Sequence, residues 1–380
     1  MIKIGRTVGE IFPSSHYPRN TEGAFAKLKN GNILFAFSRF IEGSDDESDA
    51  EIAAVISRDG GESFGEERVL LSRKAGDRNL MSVSFLRTLD GALGIFYLRK
   101  YTAESGRNCC VPYFAKSYDE GESWGEPKRC IQNDDYYVLN NDRVIRLSSG
   151  RVIFAVAHHP NERDTGSVLI FVSDDDCESF REIKQRLELP FQHHFSGLQE
   201  PGIVQLPDGR LWMWARTSHA YQFESYSEDE GESWSDVRPN EFFTSPNSPM
   251  SVKRLSNGQM VAVFNPIPMY NTRFAVEDDE DLATLPYKKR LNHPFSSYSG
   301  RTPYVLAVGH KDPKSFCPRL AWLEDDPNHS FCYAAMLECN DKLLIAYFTN
   351  AKKPLDEVHT STYGITIKKV FFSELETLEK

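Results

Sequence analysis

Short apolar runs broken by polar turns dominate the chain. NILFAFSRF at 32–40, RVIFAVAHH at 151–159, RLWMWARTS at 210–218, QMVAVFNP at 259–266 and KLLIAYF at 342–348 each have the length and β-rich composition of a strand. Each follows a polar turn, in order KNGN, SSGR, PDGR, SNGQ and ECNDK. That pairing of turn and strand reads as hairpins. No long segment keeps a 3.6-residue period, so the pattern predicts an all-β chain.

A second pattern overlies the first. Ser-x-Asp-x-Gly-x-Ser-aromatic recurs as SRDGGESF at 57–64, SYDEGESW at 117–124 and SEDEGESW at 227–234. An altered copy, SDDDCESF at 173–180, has Cys177 in the glycine place. Successive copies begin 60, 56 and 54 residues apart. A repeat of that period with several short strands in each matches the four-stranded blade of a β-propeller. The 380 residues then suffice for six blades. The expected fold is all-β, a six-bladed β-propeller with four-stranded antiparallel blades, as one domain over 1–380. GHKDPKSF at 309–316 is a candidate decayed copy in the fifth blade. The sixth blade is expected to combine the C-terminal strand YGITIKKVFFSEL with an N-terminal one.

The repeat is a turn device. Serine and aspartate bond nearby backbone groups, glycine permits positive φ, and the aromatic is free to bury. It does not fit a calcium loop of the EF-hand type, which needs glycine at its sixth position and glutamate at its twelfth.

Composition narrows the function. Aromatics at 12% and hydrophobics at 40% supply a sizeable core. A net charge of −11 argues against a nucleic-acid partner. An anionic substrate would need a local positive pocket within this negative shell. No run of about 18 apolar residues exists, so no membrane span is expected. MIKIGRTVGEIFPSS lacks the apolar core of a signal peptide. The seven cysteines form no CxxC or zinc pattern and read as reduced thiols. A cytoplasmic protein without metal or cofactor is the expectation, and oligomeric state is left open.

The repeats and the residues around them resemble the bacterial and animal sialidases, six-bladed propellers that carry such aspartate boxes. The resemblance covers most of the chain and rests on four segments outside the boxes. QEPGIVQLPDGRLWMWARTSH at 199–219 places Glu200 before a hairpin and Arg216 at the end of its second strand. FCYAAM at 331–336 places Tyr333 before another hairpin, with Ala334 where the family usually has serine. GRTPYVLAV supplies Arg301. HYPRNTEGAFAKLKNGNILFAFSRF supplies Arg19, in a Tyr-Pro-Arg-Asn setting that departs from the family's Phe/Tyr-Arg-Ile-Pro, and Arg39.

The resemblance implies an exo-glycosidase that hydrolyses a terminal acidic sugar, sialic acid by default, with retention. Arg19, Arg216 and Arg301 would clamp the sugar's carboxylate, with Arg39 also contacting substrate. Tyr333 would be the nucleophile, because a phenol escapes the repulsion a carboxylate nucleophile would suffer. Glu200 would take the phenolic proton. The general acid would be an aspartate on the loop GSDDESDAE, with Asp45, Asp46 and Asp49 on offer and Asp45 or Asp46 favoured.

Other residues stand outside that pattern. Glu22 follows Arg19 by three positions. DRNLMSVSFL and VLNNDRVIRL each carry Arg and Asn before a strand, which offers Arg78, Asn140, Asn141, Asp142 and Arg143 as sugar contacts or as plain turn residues. The pairs His158/His159 and His193/His194 have no recognised ligand spacing. The altered motifs leave open another ulosonic or uronic acid as substrate. Rival readings are a propeller lyase or hydrolase of such glycans, and a non-catalytic carbohydrate-binding propeller.

Overall fold

The computed structural model describes residues 2–65, 67–160, 165–190, 196–266, 301–326, 329–351 and 362–379. Within them the chain is all-β. Its helices are a short 3-10 turn at Pro313–Ser315 and one α-helical turn at Phe372–Glu376.

The strands group into antiparallel meanders. The first is Arg19–Lys27, Ile33–Phe40, Ala50–Ser57 and Arg68–Leu71. The second is Asp77–Arg87, Leu93–Thr102, Asn108–Ser117 and Lys128–Arg129. In the third, two short strands, Tyr137–Val138 and Ile145–Arg146, pair with Val152–His158, followed by Ser167–Ser173 and Arg181–Glu182. Next come Gln199–Gln205, Leu211–Arg216, Tyr221–Ser227 and Arg238–Thr244. Ser251–Arg254, Met260–Phe264, Tyr304–Gly309 and Ala321–Glu324 follow, with Ile2–Lys3 added in parallel at the edge. The last meander is His329–Cys339, Lys342–Ala351 and Thr362–Phe371, and Arg6–Ile11 from the N-terminus pairs with its third strand as expected.

Several middle strands are buried along their whole length. Ile33–Phe40, Val152–His158 and Ser167–Ser173 have no exposed residue. Both faces of these strands are therefore covered, which explains their near-continuous apolar runs in the sequence.

The boxes close the turn between third and fourth strands. In the first, Ser57 Oγ donates to Asp59 Oδ1 at 2.8 Å and accepts from the Gly61 amide at 2.8 Å. The same bonds recur around Asp119, Asp175 and Asp229. Cys177 holds the glycine's left-handed backbone at φ 71° and is buried. The segment 309–316 occupies the equivalent turn, and its Phe316 packs on Phe243 at 4.9 Å between ring centres.

The first strands carry a device that positions the site. Register shifts interrupt Arg19–Lys27 between Thr21 and Ala24, Asp77–Arg87 between Met81 and Ser84, Gln199–Gln205 between Gln199 and Gly202, and His329–Cys339 between Cys332 and Ala335. Each bulge contains one residue with positive φ, namely Glu22 at 50°, Ser82 at 58°, Glu200 at 46° and Tyr333 at 58°. Asp142, at 54°, stands at the same stage of the third meander, between its two short strands. A β-bulge re-aims the side chain it carries. Gly23 and Gly202 follow two of these residues because a Cβ there would lie 2.4 Å from Phe35 and 2.3 Å from Trp214.

Candidate active site

Three of the five re-aimed side chains, Glu22, Glu200 and Tyr333, line one cavity of about 250 Å³. Arg216, Asp46, Lys100, Tyr136, Asn140, Gln199 and His159 stand on its polar wall. A second cavity of about 380 Å³ is lined by Arg19, Arg301, Asp45, Asp46 and Tyr333. Asp46 and Tyr333 face both, so the two are neighbouring lobes.

Tyr333 and Glu200 are 133 positions apart and meet in the first lobe. The phenol donates to Glu200 Oε1 at 2.9 Å. Burial, reinforced by the negative charge of Glu200, holds the phenol well above its ordinary pKa. Glu200 Oε2 lies 2.9 Å from Arg216 NH1. Arg216 Nε donates to Asn247 Oδ1 at 2.6 Å, and Arg301 NH2 donates to the Asn247 carbonyl at 3.3 Å. One asparagine thus orients two arginines. The Arg301 guanidinium also stands 5.6 Å from the Tyr333 ring centre and donates to Cys332 Sγ at 3.0 Å.

Arg19 donates from NH1 to Asp46 Oδ1 at 2.6 Å and to the Ser44 carbonyl at 3.1 Å. Partial burial works to raise the Asp46 pKa, but Arg19 and Lys100 outweigh it and hold the carboxyl below its ordinary value. Glu22 behaves oppositely. Burial pushes it up to about 7, against the pull of Arg19, whose NH2 is 3.8 Å away. Ser82 Oγ donates to its other oxygen. The site therefore pairs a carboxyl held below its ordinary pKa at its rim with one held above it on its wall.

Expected site residues divide cleanly. Arg19, Arg216, Arg301, Glu200, Tyr333, Asp45 and Asp46 line the lobes, and of the two loop aspartates Asp46 alone faces both. Asp49 instead pairs with Arg73 at 2.8 Å. Arg39 lines neither lobe: it bonds Glu51 and Glu67 and stacks on Tyr17 at 4.0 Å. Arg78 is spent on Glu47, Thr102 and Asn108. Asn141 and Arg143 are buried ties between meanders. Asn141 Nδ2 donates to the carbonyls of Gly23 at 2.8 Å and Tyr333 at 3.3 Å. Arg143 NH2 donates to the Met250 carbonyl at 2.6 Å. Asp142 accepts from Lys253 at 3.1 Å and from the Met336 amide at 3.0 Å. His158 stacks on Tyr137 and bonds Asp135, whereas His159 reaches the cavity. His193 and His194 lie outside the described residues.

Lys100, Tyr136 and Asn247 carried no signal in the sequence, since nothing local distinguishes them from other polar strand and loop residues. Glu22 stands out in the sequence only by its place three positions after Arg19. Among the described residues no group of three or more His, Cys, Asp or Glu is arranged to hold a metal ion.

An all-β chain with box turns and an arginine-lined cavity defines a class. Residues 33–345 match the BNR repeat-like domain, and the chain belongs to that family. No curated protein sequence matches the chain. Solved structures share its fold. A protein of unknown function from Dyadobacter fermentans superposes with a TM-score of 0.71 at 14% identity, over 97% of this chain and 100% of that one. The NanB sialidase from Streptococcus pneumoniae gives 0.68 at 13%, over 98% and 71%. The leech intramolecular trans-sialidase complexed with 2,7-anhydro-Neu5Ac gives 0.70 at 12%, over 99% and 71%.

Proposed function

We propose that the chain is a six-bladed propeller glycosidase that removes a terminal acidic sugar, sialic acid by default, with retention through a tyrosyl intermediate. The observation that carries this is the Tyr333–Glu200 bond, buried between Arg216 and Arg301. A phenol bonded to a carboxylate inside an arginine cluster suits attack on an anomeric carbon that itself bears a carboxylate.

Arg19, Arg216 and Arg301 bind the carboxylate of the sugar. As the Tyr333 oxygen attacks the anomeric carbon, Glu200 accepts its proton. Asp46 donates a proton to the departing oxygen, then takes one from the water that breaks the tyrosyl bond, while Glu200 returns its proton to the released Tyr333 oxygen. In the free protein Asp46 occupies Arg19. An incoming carboxylate competes for that guanidinium, and loss of the partner raises the proton affinity of Asp46, as an acid requires. All seven cysteines are free, which supports a reducing compartment, and we place the enzyme in the cytoplasm.

The test is incubation of pure protein with sialyl-lactose and a fluorogenic sialoside between about pH 4 and 8. Release of sialic acid supports the reading, and no release across that range refutes it. Mass analysis separates free sugar from an anhydro product, and an unsaturated uronate chromophore from another glycan would mark a lyase instead. A binding propeller is marked by Tyr333→Phe leaving the protein's activity unchanged.

A further inference from the structure

The loop at 41–49 carries Asp46 from one meander, but its anchors come mainly from the next. It holds Glu42, Asp45, Asp46, Glu47 and Asp49 within eight positions. Such a run repels itself and has no intrinsic reason to settle over a cavity.

What settles it is a set of donors on the second meander. Lys100 Nζ, on strand Leu93–Thr102, donates to the carbonyl of Asp46 itself at 2.8 Å. Asn79 Nδ2, on strand Asp77–Arg87, donates to the Ser48 carbonyl at 2.9 Å. Lys100 is 5% exposed and Asn79 is fully buried. Arg73 and Arg78 add pairs to Asp49 and Glu47 at the more exposed rim. Rim pairs of that kind contribute little. The two inner donors differ, because a buried donor that loses its acceptor is left without water to replace it. Lys100 also has the Tyr136 ring at 5.5 Å and Glu47 Oε1 at 3.5 Å, which help keep an ammonium ion in place there.

The two inner bonds, from Lys100 and Asn79, are to the backbone of the loop. The Asp46 side chain is left out of them and is 61% exposed. It can exchange Arg19 for a leaving-group oxygen while its own carbonyl stays fixed.

We propose that Lys100 and Asn79 are positioning residues for the general acid: they clamp the loop of one meander onto the next so that the Asp46 carboxyl reaches the glycosidic oxygen. This rests on the glycosidase reading above.

Leaving-group dependence tests it. Protonation matters for a sugar alcohol and hardly at all for 4-nitrophenolate. Lys100→Met is expected to lower kcat on sialyl-lactose on the order of 10²-fold, and on the 4-nitrophenyl sialoside less than about 3-fold. KM should change little on either substrate, and the basic limb of the kcat profile should shift. Asn79→Ser should show the same selectivity, Asp46→Asn should show it more strongly, and Lys100→Arg should restore much of the loss. Asn79→Ser keeps the test open if Lys100→Met fails to fold. Equal losses on both glycosides, no loss on either, or a rise in KM alone would overturn the positioning role while leaving the glycosidase intact. Failure of the wild type to cleave either glycoside removes both.

Discussion

Glu200→Gln and Tyr333→Phe, made singly and together, probe the centre of the proposed mechanism. The phenol donates to Glu200 Oε1 at 2.9 Å, so the proton has a direct path. Its transfer is unfavourable before attack. An ordinary phenol and an ordinary carboxyl differ by about 6 pKa units, or roughly 8 kcal/mol, and burial lifts the Tyr333 phenol further. The proton therefore moves only as the bond to the anomeric carbon forms. A base acting in that way contributes about 10²- to 10⁴-fold. Glu200→Gln should lower kcat about 10³-fold, equivalent to roughly 4 kcal/mol. KM should not rise, because Arg216 loses its carboxylate partner at 2.9 Å and turns more fully to the substrate. Tyr333→Phe should cost at least as much. The double variant should be no slower than the slower single one, since base and nucleophile act as one unit. Steady-state rates on a fluorogenic sialoside give the cycle. Additive losses, near 10⁶-fold together, would show that Glu200 does not act through Tyr333.

Arg301→Ala should reduce kcat/KM about 10²-fold, the worth of charge-assisted bonds to a carboxylate, and an esterified substrate should lose that sensitivity. Glu22, with its pKa raised from 4.5 to about 7 by burial, should add stability that is full below 4.5 and fades as pH climbs through 7, by roughly 3 kcal/mol. Glu22→Gln should therefore remove the decline in urea midpoint between pH 5 and 8, and a parallel decline in both proteins would refute the assignment. The same variant should abolish any gain in sugar-acid affinity on passing downward through pH 7, which titrations of an unreactive sialic acid analogue would reveal. Gly231→Ala should destabilise by at least about 1 kcal/mol more than Gly121→Ala in thermal unfolding. Both glycines have φ near +90°, but an added Cβ meets Ile153 at 2.6 Å in the first and nothing nearer than 3.5 Å in the second.

Local chemistry made the boxes legible. Ser57, Asp59 and Gly61 make their bonds within one turn, so eight residues of sequence contain the whole device. Glu200 and Arg216 could be paired for the same reason, as the two flank one hairpin in register with Gln199 opposite Arg216. Arg39 could not be oriented from its place at the end of a strand, because Glu51 and Glu67, which draw it away, lie on later strands and loops. The sequence offers Asn141 and Arg143 as sugar contacts or as turn residues. The turn was right, but its donors serve carbonyls more than 100 positions away. Lys100 illustrates the general difficulty. Its contact with the Asp46 carbonyl spans 54 positions and two meanders, and no spacing rule reaches that far.

The bulges have a consequence for how such a molecule can change. Glu22, Ser82, Asp142 and Glu200 stand 60, 60 and 58 positions apart, yet their side chains are not one type but two glutamates, a serine and an aspartate. What recurs is a backbone kink, and the kink decides where a side chain points whatever that side chain is. The scaffold therefore offers a row of interchangeable sockets. Each can be refitted with acid, alcohol or phenol while the ladders on either side keep their register, so new chemistry can be tried one socket at a time without redesigning the frame that holds it.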